Sequence, residues 1–112
     1  MPTDDFPLEI TVSEAKRLLQ APGASTTLID VREPWETQLC RLESALLIPM
    51  QQIPEHLDTL PTDRRLLIMC HHGGRSLSVT KYLRTQGRLA VSNVAGGIDA
   101  WSEQIDPSVL RY

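Results

Sequence analysis

At 112 residues the chain has the length of one ordinary domain, enough to bury a core and too little for two. Apolar residues make up 41% and charged residues 22%, near globular averages, which argues against a disordered or fibrous chain. The net charge of −3 carries no basic excess to suit nucleic acid, and the longest apolar runs, residues 45–48 and 66–70, fall far short of the roughly 20 residues of a membrane span.

The segment from Met1 to Pro7 has two aspartates and no basic, apolar leader, so a secretory signal is not expected and the cytoplasm is the default compartment. A short extended segment is expected over residues 8–11. A helix then opens at Val12 to Glu14 with Ser13 as N-cap, places Ala15, Leu18 and Leu19 on one face, and stops at Pro22-Gly23. Residues 26–31, rich in β-branched side chains, read as a buried strand with a polar tip at Asp30 and Arg32. A helix over residues 33–39 tolerates Pro34 in its first turn. Residues 46–48 read as a third strand and residues 53–60 as a short helix closed by Pro61. The run over 66–70 hardly alternates, as expected of a strand covered on both faces. Leu77, Val79, Tyr82 and Leu83 supply the apolar positions of a helix over 76–86, ended by Gly87. Residues 90–94 form a fifth strand, and residues 98–105 a last helix with Trp101 on its buried side.

Strand and helix signals alternate throughout, which argues for an α/β fold: an open parallel sheet with helices on both faces. Ligands of such sheets bind beyond the carboxyl ends of the strands. That edge holds the Asp30-Val31-Arg32 tip, the Val94-to-Gly97 turn, and the stretch "CHHGGRS" at 70–76. In the last of these, Cys70 ends a strand and Ser76 begins a helix, so the residues between must wrap back over the edge. Gly73 and Gly74 make the wrap feasible and let successive N–H groups turn inward as an anion-binding nest, reinforced by the helix N-terminus. Such a cradle favours the thiolate, which is the nucleophilic form, and Arg75 stands ready to hold an oxyanion beside it. A zinc site from Cys70, His71, His72 and Cys40 is not expected. Adjacent histidines on a short loop are expected to point apart, and the usual ligand spacings are missing. His71 and His72 read either as exposed filler or as groups that draw in anions when protonated. Cys40 reads as a packing residue or a second thiol, since two cysteines this far apart make no disulfide framework.

Together with "LIDVREPWE" at 28–36, "LLIPMQQIP" at 46–54 and "VSNVAGGIDAW" at 91–101, the "CHHGGRS" loop resembles the single-domain rhodaneses, a family of thiosulfate or persulfide sulfurtransferases. The resemblance runs from about residue 10 to residue 101, with the blocks in the family's order. It implies one rhodanese-like domain over residues 1–112, built on a five-stranded parallel sheet flanked by helices, with a persulfide-forming cysteine at Cys70. The loop backbone through His71, His72, Gly73, Gly74, Arg75 and Ser76 would bind the transferred sulfur, and Arg75 would contact the oxyanion end of the donor. Asp30 and Arg32 match the family's D-x-R element, which braces the active-site edge. No cofactor and no metal are implied. The partners expected are a small sulfur-containing anion as donor and cyanide, a thiol or a sulfur-carrier protein as acceptor. One departure is Ser44, where the family often has a glycine before the alanine matched by Ala45.

Cysteine-dependent phosphatases and arsenate reductases share the fold and also carry Cys and Arg on a loop. The phosphatase-like members have a loop one residue longer, with room for a tetrahedral phosphate. Six residues from Cys70 to Arg75 suit a single sulfane sulfur instead. A non-catalytic binding module on the same fold is the other alternative. Trp35 and Trp101 read as core or edge packing, with Trp35 also a candidate for an acceptor-docking surface, and residues 106–112 read as an extended strap, with partner binding the weaker alternative.

Overall fold

The computed structural model describes residues 6–23 and 25–112; the stretch Met1 to Asp5, on which most of the leader reading rests, lies outside the described residues. The elements are β1 (Glu9–Ile10), α1 (Val12–Gln20), β2 (Thr26–Asp30), α2 (Pro34–Leu39), β3 (Leu46–Leu47), a 3-10 helix (Met50–His56), β4 (Arg65–Met69), α3 (Gly74–Thr85), β5 (Val91–Val94) and α4 (Gly97–Gln104). The five strands pair in parallel in the order β1-β5-β4-β2-β3, the α/β sheet expected from the alternating pattern.

Side chains of a strand alternate between faces, and β4 shows how this divides the core. Leu66, Ile68 and Cys70 join Ile29, Val91, Ile53, Val79 and Leu83 under α3 and the 3-10 helix. Leu67 and Met69 join Leu28, Val94, Val12, Ala15 and Ile98 under α1 and α4. Cys70 therefore continues the α3-facing register one step beyond the strand, beneath the N-terminus of that helix.

Several boundaries differ from expectation for local reasons. Thr11, not Ser13, caps α1: its backbone is extended and its hydroxyl accepts the Glu14 N–H at 3.1 Å, which puts Ser13 inside the first turn. The segment expected as a helix over 53–60 is a 3-10 helix shifted towards the N-terminus, with Pro54, which has no N–H to give, inside it. β1 pairs through two residues only, and α3 begins at Gly74 rather than Ser76. Trp101 is half-buried at the margin of the α1–α4 core.

Beyond β2 the chain is fixed by one buried side chain. Arg32 is 1% exposed. Its Nε and Nη2 grip Asp30 at 2.7–3.1 Å, its Nη2 also reaches the Cys40 carbonyl at 2.7 Å, and its Nη1 reaches the Tyr112 hydroxyl at 2.9 Å. The tip of β2, the end of α2 and the last residue of the chain thus share one cation. Removing one partner of such a pair leaves a buried charge unmatched. Asp30→Ala is expected to destabilise the protein by about 3–5 kcal/mol, read from urea unfolding; a loss below about 1 kcal/mol would contradict the assigned role.

Candidate active site

Cys70 leaves β4 with its side chain turned towards α3, and the chain turns at once. Gly73 adopts φ +107°, a region glycine enters freely, and caps the helix that begins at Gly74. A Cβ on Gly73 would also stand 3.1 Å from the Gly96 amide nitrogen. Gly74 has an ordinary φ and open space around it, so of the two glycines only Gly73 is required by the turn. The wrap is shorter than expected, and Arg75 and Ser76 belong to the first turn of α3.

The result is a cysteine sulfur surrounded by donors. Sγ accepts from the Gly73 N–H at 3.1 Å, the Ser76 N–H at 3.4 Å and the Ser76 hydroxyl at 3.3 Å. The start of the loop is held from the other side by α4: the Cys70 carbonyl accepts from the Ile98 N–H at 2.9 Å and the His71 carbonyl from the Asp99 N–H at 3.1 Å. The N-terminus of α4 is thus spent on the backbone of the loop. It can approach this closely because Gly97 has no side chain; a Cβ there would lie 2.3 Å from the Cys70 oxygen and 2.5 Å from that of His71. Asn93, fully buried on β5, donates to the Gly73 carbonyl at 3.1 Å and to Glu9 at 2.9 Å, tying the turn to the sheet. Donors converging on one buried atom stabilise negative charge there, on a thiolate or on an atom bound to it.

The expected site residues fall into distinct positions. Arg75, expected to hold an oxyanion, sends Nη1 and Nη2 to Glu36 at 2.6 and 2.9 Å. The pair is bidentate, with a buried carboxylate and an arginine still 37% exposed. Glu36 was not among the expected site residues, although it closes the "LIDVREPWE" block. It also completes a capping box with Glu33 at the start of α2. Asp30 and Arg32 lie beneath this pair, linked to it through Tyr112, whose hydroxyl donates to Glu36 at 2.7 Å. Nothing in the sequence marks Tyr112 for this place.

The two histidines do not point apart. Their rings lie 3.9 Å apart, centroid to centroid, and His71 is stacked on its other side against Tyr112 at 3.9 Å and 7°. The tail thus brings a third ring against the pair, on the side of His71 away from His72. His71 is half-buried rather than exposed, and burial, aided by His72, pushes its pKa below the ordinary value; it is therefore neutral near pH 7. His72 is exposed. Among the described residues His71, His72 and Asp99 bring potential ligand atoms within 4.8 Å of one another. Both Asp99 oxygens accept from Arg111 at 3.0 and 3.2 Å, so a cation there would share its carboxylate with a guanidinium. Cys40 is half-buried, its sulfur 3.8 Å from Arg32 Nη1, in the scaffold beneath the site.

Comparison with known proteins gives a consistent result. The family model described as Rhodanese-like domain matches residues 11–104. A protein of Allochromatium vinosum named Sulfurtransferase is 39% identical over 97 residues, covering 87% of this chain and 91% of its own. The Rhodanese-like/PpiC domain-containing protein 12, chloroplastic, of Arabidopsis thaliana is 34% identical over 110 residues, covering 93% of this chain; the chain spans only 37% of that protein's length. The crystal structure of a rhodanese-like domain protein from Staphylococcus aureus superposes with a TM-score of 0.78 at 33% identity, covering 95% of this chain and 99% of that one.

Two predictions follow from the geometry. Gly97→Ala forces a Cβ into the loop carbonyls at a positive φ and is expected to lower stability by about 2 kcal/mol or more, whereas Gly74→Ala is expected to be nearly neutral; paired urea titrations that rank them in the reverse order would contradict the close-approach argument. The Arg75 fork, opposed by burial and helped by Tyr112 and the Glu33 N–H, holds the Glu36 carboxyl at about 2, against an ordinary 4.5. A depressed carboxyl contributes stability that is full above its unfolded pKa and is lost as pH falls through its folded one. The stability gap between wild type and Glu36→Gln should therefore be flat above pH about 5 and narrow between about 4.5 and about 2. A gap unchanged down to about pH 2.5 would count against the pair.

Proposed function

The chain belongs to the rhodanese-like domain family, and from that premise we propose that it is a sulfurtransferase that carries a sulfane sulfur on Cys70 from a small sulfur-containing anion, thiosulfate or a persulfide, to a nucleophilic acceptor. The observation that supports this most directly is the set of three donors on the Cys70 sulfur: two backbone N–H groups and the Ser76 hydroxyl. A naming of relatives as sulfurtransferases agrees with it.

The reaction is a double displacement. The Cys70 thiolate attacks the outer sulfur of thiosulfate; a new S–S bond forms at Cys70 as the bond to the sulfonate sulfur breaks, and sulfite departs with that electron pair. The product is a Cys70 persulfide whose terminal sulfur carries the negative charge. Loop N–H groups and the N-terminus of α3 stabilise that charge without having to reorient. In the second step the acceptor attacks the terminal sulfur and Cys70 leaves as thiolate, which returns the enzyme to its starting state. Cyanide gives thiocyanate by this route, a thiol gives a persulfide, and a sulfur-carrier protein accepts the sulfur on its own nucleophile. Arg75 lies at the helix start beside the sulfur, with its charge shared with Glu36, in a position to meet the oxyanion end of the donor.

Incubation with thiosulfate or glutathione persulfide, followed by mass spectrometry of the Cys70 peptide, is expected to show the gain of one sulfur atom, removed again by cyanide. Cys70→Ser is expected to lower thiosulfate-to-cyanide turnover by about a thousandfold or more while leaving the unfolding midpoint close to wild type. Absence of any adduct with either donor would sink the assignment in favour of a binding module, and turnover of an aryl phosphate without sulfur loading would sink it in favour of phosphoryl chemistry.

A further inference from the structure

The tail that follows α4 returns across the active-site edge and stays there by specific bonds. The Ser102 hydroxyl donates to the Val109 carbonyl at 2.5 Å, and Arg111 pairs with Asp99. These bonds bring Tyr112 over the loop. Its ring stacks in parallel on His71 and meets Trp35 edge-on at 6.1 Å, while its hydroxyl sits between Arg32 and Glu36.

The bonds to Glu36 divide symmetrically. Oε1 accepts from Arg75 Nη1 at 2.6 Å and from the Glu33 N–H at 3.0 Å; Oε2 accepts from Arg75 Nη2 at 2.9 Å and from the Tyr112 hydroxyl at 2.7 Å. Each oxygen thus has one bond to Arg75 and one anchor. The α2 backbone anchors the first oxygen, and Tyr112 anchors the second. We propose that Tyr112 is a positioning residue of the Cys70 site: by fixing the second oxygen of Glu36 it orients the Arg75 guanidinium and sets how strongly an anionic reagent is drawn to Cys70. Its hydroxyl draws negative charge away from Oε2, so that Glu36 cancels less of the Arg75 charge. Without it only Oε1 keeps an anchor besides Arg75, and the full charge of Oε2 bears on the guanidinium. Burial, the leading cause, pushes the Tyr112 pKa up to about 12, so the proton needed for this bond stays in place at neutral pH.

The inference deepens the sulfurtransferase reading, yet its test does not depend on sulfur transfer. In both iodoacetate and iodoacetamide the Cys70 thiolate displaces iodide and forms an S–C bond; the reagents differ in that the first is an anion and the second is neutral. The ratio of the two rates at Cys70, followed by mass spectrometry of its peptide so that Cys40 is read separately, reports the field that Arg75 presents to an incoming anion. Tyr112→Phe keeps the ring on His71 and removes only the hydroxyl. It is expected to lower the iodoacetate-to-iodoacetamide ratio about three- to tenfold, the range of one net hydrogen bond. It is also expected to lower kcat/KM for thiosulfate by a similar factor, while kcat/KM for a neutral thiol acceptor stays within about twofold. An unchanged alkylation ratio would overturn the proposal. Equal slowing with both reagents, the mark of a loop that has merely loosened, would overturn it as well. A wild-type protein that takes up no sulfur would defeat the functional reading and leave the alkylation test of Tyr112 standing.

Discussion

The site depends on the direction of a few peptide groups. Between the end of β4 and the start of α3 the carbonyls of Cys70 and His71 face outward onto the N–H groups of Ile98 and Asp99, and the N–H groups of Gly73 and Ser76 face inward onto sulfur. The two sets lie on different peptide groups of one short loop, and the bonds to α4 fix the start of the backbone course that carries the N–H groups of Gly73 and Ser76 to the sulfur. Buried oxygens require a donor, and α4 supplies two. That is why the Gly96–Gly97 turn, far from Cys70 in sequence, belongs to the active site as firmly as the loop itself, and why Gly97 admits no side chain.

Around this backbone cradle the charged groups form a second, continuous structure. Asp30 holds Arg32, Arg32 holds the Tyr112 hydroxyl, Tyr112 holds Glu36, and Glu36 holds Arg75 at the start of α3. Acid and base alternate with a neutral hydroxyl at the centre, so no member carries an unmatched charge into the interior. A lone arginine beside the sulfur would bind any anion strongly. An arginine shared with a buried carboxylate presents a weaker and more directional field, which, in the reaction we propose, suits the release of sulfite after the first step.

Much of this was legible in the sequence, for identifiable reasons. The alternation of apolar runs and amphipathic stretches gave the parallel sheet, and the run ending at Cys70 placed a cysteine at the carboxyl edge, since strand and helix periods depend only on near neighbours. The local surprises came where proline or glycine altered hydrogen bonding over one or two residues: Gly73 starts α3 early, and the segment around Pro54 stays 3-10. Glu36 and Tyr112 escaped notice for a different reason. Their partners lie 39 and 76 residues away along the chain, and no spacing rule joins positions brought together only by the folded sheet. The histidines misled in a similar way: the stacking of His71 on Tyr112 involves the returning tail, which the loop read by itself does not show.

The claim on which the account turns is that the cradle around Cys70 is built to hold a second sulfur atom. A crystal structure of the protein after exposure to thiosulfate measures this directly. The account predicts one additional sulfur bonded to Cys70 Sγ, within hydrogen-bonding reach of the inward N–H groups of the loop, with the backbone from Cys70 to Ser76 in its present course. An unmodified Cys70 beside a sulfur-loaded Cys40, or a loop whose carbonyls have turned towards the added atom, would contradict it.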